Sequence, residues 1–408
     1  MAFDPATEIQ NFLVFGEFGD VNPSICDSST YTFLSVAKME EVFEHEIEGC
    51  FLYSRHWNPT NRALAAALAR MEAGESAQVM ASGMAAISTT LLELCSAGDE
   101  IVSSRTVYGG TYALLANLLP RFGITTRFVD LADEQAVRAA LSPKTRVLFC
   151  ESISNPLLEV ADIPKLAAIA KEHGAKLVVD NTFSPLILSP LRLGADVVVH
   201  SMTKFINGTS DCVAGCVVSS HEFIARLNDI NRGPSMLLGP VLDSIRAAGI
   251  LKNLHSLHIR LARHSTNAQF LAERLQEAGL PVHYPGLETH PQHQLLRRLK
   301  NDGYGFGGIV AADVGDKTTA DRLMTRMQEQ GVGYLAVSLG YFKTLFSAPG
   351  KSTSSEIPPE QRHGMGMGDG LIRFSVGLDN DMERTWRTIS RLLADLAVTR
   401  PRDVAVAD

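Results

Sequence analysis

Residues 197–211 read VVVHSMTKFINGTSD. Three valines run into His-Ser-Met-Thr, and Lys204 follows directly, flanked by Ser201 and Thr203 and ahead of the turn-forming pair Asn207-Gly208. A β-branched run bounded by a turn pair reads as a strand, with the lysine at its exit. Such a lysine is either an ordinary surface cation or a group positioned to react. Working outward, RVLFCES (146–152), KLVVDNT (176–182), DVVVHS (196–201) and VAGCVVSS (213–220) are near-continuous apolar runs. Between the first two, IPKLAAIAKEHGA reads as a helix that stops at His173-Gly174. Buried strands alternating with helices predict an α/β fold whose large, mostly parallel sheet is covered by helices on both faces. Ligands in such sheets bind beyond the carboxyl ends of the strands. Asn155-Pro156, Asp180-Asn181-Thr182 and Ser201-Met202-Thr203-Lys204 each follow a strand, so all three are expected at one edge.

The flanking sequence organises around this sheet. Residues 1–60 lack strong periodicity and read as an extended arm; 61–250 carry the strand and helix runs; from 251 to 408 a smaller C-terminal α/β domain is expected. RALAAALARM has helical spacing, with Leu64, Leu68 and Met71 on one face. A short apolar run then ends at Ala81-Ser82-Gly83, where a helix begins that runs to Cys95. A strand, a small-residue turn and a helix start make an anion site, because free N–H groups and the helix dipole converge there. KNLHSLHIRLARHSTNAQFLAERLQEAG reads as one long amphipathic helix ended by Gly279, and a last helix is expected near 381–397. The Ser/Pro/Gly-rich stretch 347–370 reads as a long loop of functional kind.

Composition narrows the function. The 408 residues are 45% hydrophobic and 20% charged, enough for a substantial core. Net charge is −8 and no basic run stands out, which argues against a nucleic-acid partner. The first residues, MAFDPATEIQNF, lack a basic and apolar leader, and no stretch reaches the roughly 20 apolar residues of a membrane span, so a cytoplasmic protein without a membrane partner is expected. Its six cysteines contain no C-x-x-C pair and are expected as reduced thiols. His255 and His258, and His290 and His293, stand three apart, but neither pair encloses a glutamate. His290 to His293 lies in a Pro/Gln-rich stretch read as loop, histidines on an amphipathic helix are read on its solvated face, and no metal site is expected.

Asp180 ends an apolar strand and is costly to bury without a cation. Lys204 could supply that charge as a direct salt bridge. Alternatively, both could contact a cofactor: pyridoxal phosphate needs a lysine, an acid for its ring nitrogen and a phosphate cup. Ser201, Thr203 and the helix start at Ser82-Gly83-Met84 could form the cup. The residues alone leave both readings open.

The segment VVDNTFSPLILSPLRLGADVVVHSMTKFINGTSDCVAG, together with YSRHWNPT (53–60), ASGMAAIS (81–88), TVYGGTY (106–112) and LIRFSVGLDN (371–380), resembles the cysteine/methionine-metabolism (trans-sulfuration) family of pyridoxal-phosphate enzymes. The resemblance spans most of the chain and implies the fold-type I architecture of that family. It implies that Lys204 is the Schiff-base lysine and that Asp180 is the partner of the ring nitrogen. Ser201, Thr203, Gly83 and Met84 would hold the phosphate, and Tyr53 and Arg55 would reach the phosphate of a neighbouring subunit. Tyr108 would stack on the ring and move a proton, while Arg373, helped by Ser338 and Asn155, would grip the carboxylate of an amino-acid substrate. A homotetramer built from two site-sharing dimers is implied. Within the family, Val337 stands where cystathionine γ-lyases have glutamate, which suits an apolar tail such as S-methyl. With YSRHWNPT, GPSMLLGP (233–240) and KSTSSEIPPEQ (351–361), this looks most like the plant-type methionine γ-lyases. Bacterial members known for that activity have a cysteine where Gly110 stands. The implied reaction is α,γ-elimination of L-methionine; cystathionine γ-lyase, O-acetylhomoserine sulfhydrylase or cystathionine γ-synthase chemistry is the alternative.

Overall fold

A computed structural model describes residues 3–16, 18–44, 47, 49–351, 360, 365–396 and 398. Among these, seven strands form the larger sheet: β1 (Ser76–Met80), β2 (Glu100–Ser104), β3 (Thr125–Val129), β4 (Thr145–Glu151), β5 (Lys176–Asp180), β6 (Val197–Ser201) and β7 (Gly215–Ser219). Their order is β1-β7-β6-β5-β4-β2-β3. β7 runs antiparallel to both of its neighbours, and the pairs from β6 to β3 are parallel. β5 is buried from Leu177 to Asp180 and β6 from Val197 to His200, so neither strand has a solvent face. That is why continuous valine runs, rather than alternating ones, encode them.

A second sheet has the order β10-β11-β12-β9-β8, with β8 (Val282–His283), β9 (Ile309–Asp313), β10 (Tyr334–Leu335), β11 (Leu345–Ser347) and β12 (Leu371–Ser375). Each sheet has its own apolar core. The helix Leu257–Glu277 joins them: Leu257 and Leu261 pack into the first core, and Ala268, Leu271, Ala272 and Leu275 into the second.

Three expectations need correction. The N-terminal 60 residues are not wholly extended, since Pro5–Gln10 and Val36–Glu44 are helical. Asp4 caps the former by accepting from the Thr7 N–H, with Pro5 at its first turn. The single helix expected from Lys252 onward is two, Ser244–Leu254 and Leu257–Glu277. The Ser256 hydroxyl donates to the Asn253 carbonyl, and Arg260 donates to that carbonyl too, so the backbone there is satisfied outside the helical ladder. The stretch read as loop at His290–His293 instead ends in a helix, His293–Leu299, and both histidines are buried. The His293 ring bonds the Pro285 carbonyl and stacks on Phe306 with centroids 5.1 Å apart. Of the expected loop 347–370, Ser347 ends β11 and Pro349–Lys351 is a 3-10 turn, while 352–359 and 361–364 lie outside the described residues.

Candidate active site

The carboxyl edge of the larger sheet gathers the expected residues. β6 ends at Ser201, and Lys204 follows within one turn. Gly208 closes the excursion at φ 75°, a left-handed conformation that favours glycine. Arg260 holds the same segment by donating to the carbonyls of Phe205 and Ile206 at 2.6 and 2.9 Å. The Lys204 ammonium donates to the Ser338 hydroxyl at 3.0 Å. Burial, and next the charge of Arg373, pushes the lysine down to about 8.

Arg373 lies in the middle of β12 and is only 2% exposed. It donates to the Asn155 side-chain oxygen at 2.9 Å and reaches the Ser338 carbonyl at 3.4 Å, and its Nε has no partner. Among the described residues no carboxylate pairs with it. A buried guanidinium with an unsatisfied N–H is expensive unless an anion completes it, and its fork fits a carboxylate on two points.

Asp180, at the end of β5, accepts from the Thr182 N–H at 2.9 Å, and burial pushes its carboxyl up. Among the described residues no ion pair joins it to Lys204, so the direct salt bridge is not formed. Thr182 in turn accepts from the Ser201 N–H at 2.8 Å, tying the ends of β5 and β6 together.

The candidate anion seat lies at the start of a helix beside the end of β6. The helix Gly83–Leu94 is capped by Ser82, whose hydroxyl accepts from the Ala85 N–H at 3.0 Å. The N–H groups of Gly83 and Met84 have no acceptor within the helix. A Cβ on Gly83 would lie 2.7 Å from that of Ser201, so only glycine lets the helix start abut β6. The Thr203 hydroxyl exchanges hydrogen bonds with the Ala214 backbone, accepting at 2.9 Å and donating at 3.2 Å.

Tyr108 opens the short helix Gly109–Ala113, and its ring lies over Gly110, where a Cβ would come within 2.5 Å of it. Val337, beside Ser338, is 63% exposed, and Phe342 is exposed nearby in sequence. Tyr53 and Arg55 are not brought to this group. Among the described residues Arg55 donates to the Met236 carbonyl at 2.9 Å and lies over the Tyr53 ring at 5.8 Å.

Sequence reasoning missed Glu151. It ends β4, register-paired with Asp180, and is buried. Its two oxygens accept from the N–H groups of Tyr108 at 2.6 Å and Asn155 at 2.8 Å. Burial, and next the Asp180 charge, pushes it up to about 8. Its place in RVLFCES, a glutamate closing an apolar run, was the available signal.

An uncompensated lysine, an open-ended buried carboxyl and a helix N-terminus facing a hydroxyl on one edge fit the three needs of pyridoxal phosphate: amine, acid and phosphate seat. The comparisons agree. The family model for Cys/Met metabolism PLP-dependent enzymes matches residues 12–385. The chain is 45% identical over 390 residues to the methionine gamma-lyase of Arabidopsis thaliana, covering 94% of this chain and 88% of that protein. It is 39% identical over 387 residues to the O-succinylhomoserine sulfhydrylase of Pseudomonas aeruginosa, covering 93% and 92%. A crystal structure from Campylobacter jejuni, assigned as an O-acetylhomoserine (thiol)-lyase and holding a pyridoxyl-lysine phosphate, superposes with TM-score 0.88 at 28% identity, over 96% of this chain and all of that one. The chain therefore belongs to the Cys/Met metabolism family of PLP-dependent enzymes, and pyridoxal 5'-phosphate is its cofactor.

Proposed function

We propose that the protein is a methionine γ-lyase, converting L-methionine and water to methanethiol, 2-oxobutanoate and ammonia. The observation that carries this choice is Val337: an exposed apolar side chain stands directly beside Ser338, the acceptor for Lys204, where a charged tail would want a carboxylate. In this reading Arg373 receives the substrate carboxylate on its fork, with Asn155 and Ser338 fixing its plane. Lys204, held near neutral pH by burial, takes the proton from the α-carbon. Tyr108 gives a proton to the departing sulfur. Pyridoxal phosphate, when bound, would supply an electron sink for the α-proton; Asp180 would hold its ring nitrogen, and Gly83, Met84, Ser201 and Thr203 its phosphate.

The reading extends to assembly. Within one chain Arg55 contacts the Met236 carbonyl and the Tyr53 ring, and the arm around them exposes Phe15, Phe18, Leu34 and Phe43. Apolar exposure on this scale marks an association surface. We infer a dimer in which each arm completes the partner's site, paired into a tetramer.

The test is a substrate panel with product identification. Purified enzyme is expected to release 2-oxobutanoate and methanethiol from L-methionine alone. Silence on methionine, with turnover of cystathionine or of O-acylhomoserine plus sulfide, would sink the assignment. γ-Replacement is the second reading, favoured by the sulfhydrylase relative.

A further inference from the structure

The carboxylate of Glu151 has two acceptor oxygens, and each is committed to a different loop. One takes the N–H of Tyr108, from the connection after β2; the other takes the N–H of Asn155, from the connection after β4. Both loops carry function. Tyr108 bears the ring that lies over Gly110, and Asn155 holds Arg373 through its side-chain oxygen. The side chain is buried at a strand end, level with Asp180 on the neighbouring strand.

Ordinary burial economy does not call for a carboxylate here. Two loop N–H groups could be satisfied by backbone carbonyls or by water at far smaller desolvation cost than a glutamate next to an aspartate. A carboxyl is suited to fixing two convergent donors at once, because both of its oxygens keep lone pairs that can accept, even in the protonated form that burial favours below about 8. A glutamine in its place would turn an NH2 group toward one of the two N–H donors.

We propose that Glu151 is a positioning residue that sets the Tyr108 ring against the cofactor and aims the Asn155–Arg373 clamp at the substrate carboxylate. It touches neither ligand and acts on both recognition elements through their backbones. This inference rests on the reading that Tyr108 faces the cofactor and Arg373 the substrate.

The experiment compares Glu151→Gln and Glu151→Asp with wild type, each as holoenzyme loaded with pyridoxal phosphate and assayed on the best wild-type substrate. The measurements are kcat, KM, the visible circular dichroism of the bound cofactor, and Tm. Glu151→Gln is expected to keep its cofactor and to lose about 10- to 100-fold in kcat/KM, the penalty of one unsatisfied buried donor. Much of the loss should fall on KM, through Arg373. Its visible dichroic band should weaken by about half or more as the ring above the cofactor tilts. Glu151→Asp retains the carboxyl but is one methylene short of spanning both loops, and should lie between the two. A KM and a dichroic band unchanged within about two-fold in Glu151→Gln, whatever its Tm, would overturn the proposal. If Glu151→Gln does not fold, Glu151→Asp decides: wild-type KM and band overturn the idea, and a raised KM with cofactor still bound upholds it. Lys204→Ala separates the underlying reading. Persistence of the wild-type visible band in Lys204→Ala would break the cofactor assignment itself, independently of what Glu151 variants do.

Discussion

At the scale of single residues, the site is organised by charges without partners. Lys204 is half-buried and Arg373 buried, and among the described residues neither has a carboxylate within ion-pair reach. Burial lowers the proton affinity of Lys204 first, and the Arg373 charge lowers it further, to about 8. The neutral amine, which attacks an aldehyde, is the form favoured above that value. In cofactor-free protein the rate of pyridoxal phosphate capture should therefore rise with pH, with its half-point near 8. Arg373→Ala removes the repelling charge and should move the half-point upward. Stopped-flow absorbance reads both, and a capture rate flat from about pH 6 to 9 would contradict the assignment. Asp180, Lys204 and Arg373 were legible in the sequence because each interrupts an apolar run, where an ionisable group must have a reason. Glu151 interrupts one too, but its partners are the backbone N–H groups of Tyr108, 43 positions earlier, and of Asn155. No side-chain pattern encodes a contact with an amide.

At the scale of elements, the helix Leu257–Glu277 carries the most structural responsibility. His264 on this helix donates from Nδ1 to the Val376 carbonyl and packs edge-on against Phe205, with its other nitrogen unpartnered. Burial pushes this imidazole down to about 4. The unfolded chain binds that proton near pH 6.5, so the folded state is fully favoured above 6.5 and loses stability as pH falls from there toward 4. The loss from His264 is on the order of 3 kcal/mol at most. His290, also pushed down to about 4 by burial, acts in the same window. His264→Asn keeps a donor for Val376 and should flatten the dependence of Tm on pH between 6.5 and 4; an undiminished slope would argue that other groups carry it. The strands were readable because burial on both faces writes continuous apolar text. The break before Leu257 was not, because it rests on the Ser256 and Arg260 side chains taking over the Asn253 carbonyl, which helical spacing does not reveal. The buried histidines were misread for a related reason: the imidazole of His293 is satisfied by a carbonyl and an aromatic face, not by anything in its own spacing.

At the scale of the whole molecule, Arg373 comes from the smaller sheet and Asn155 from the larger, so the carboxylate site lies on the seam between two cores. In the proposed dimer, Tyr53 and Arg55 extend this division to a second chain. If each arm serves the neighbouring site, mixing inactive Arg55→Ala subunits with inactive Lys204→Ala subunits should restore activity. Every mixed dimer then holds one site with an intact Lys204 and an intact Arg55. Absence of recovery after verified subunit exchange would place Arg55 in its own chain's site. The groups shared by any amino-acid substrate, Asp180, Lys204 and Arg373, follow or lie within strands of the two sheets, whereas Val337 sits exposed on a connection and Gly110 in a short helix after β2. In the proposed reading, preference for one leaving group over another is set at the exposed Val337 on the rim rather than in the strands. On that reading, relatives named for different reactions differ at the rim while keeping the strand-end groups beneath it.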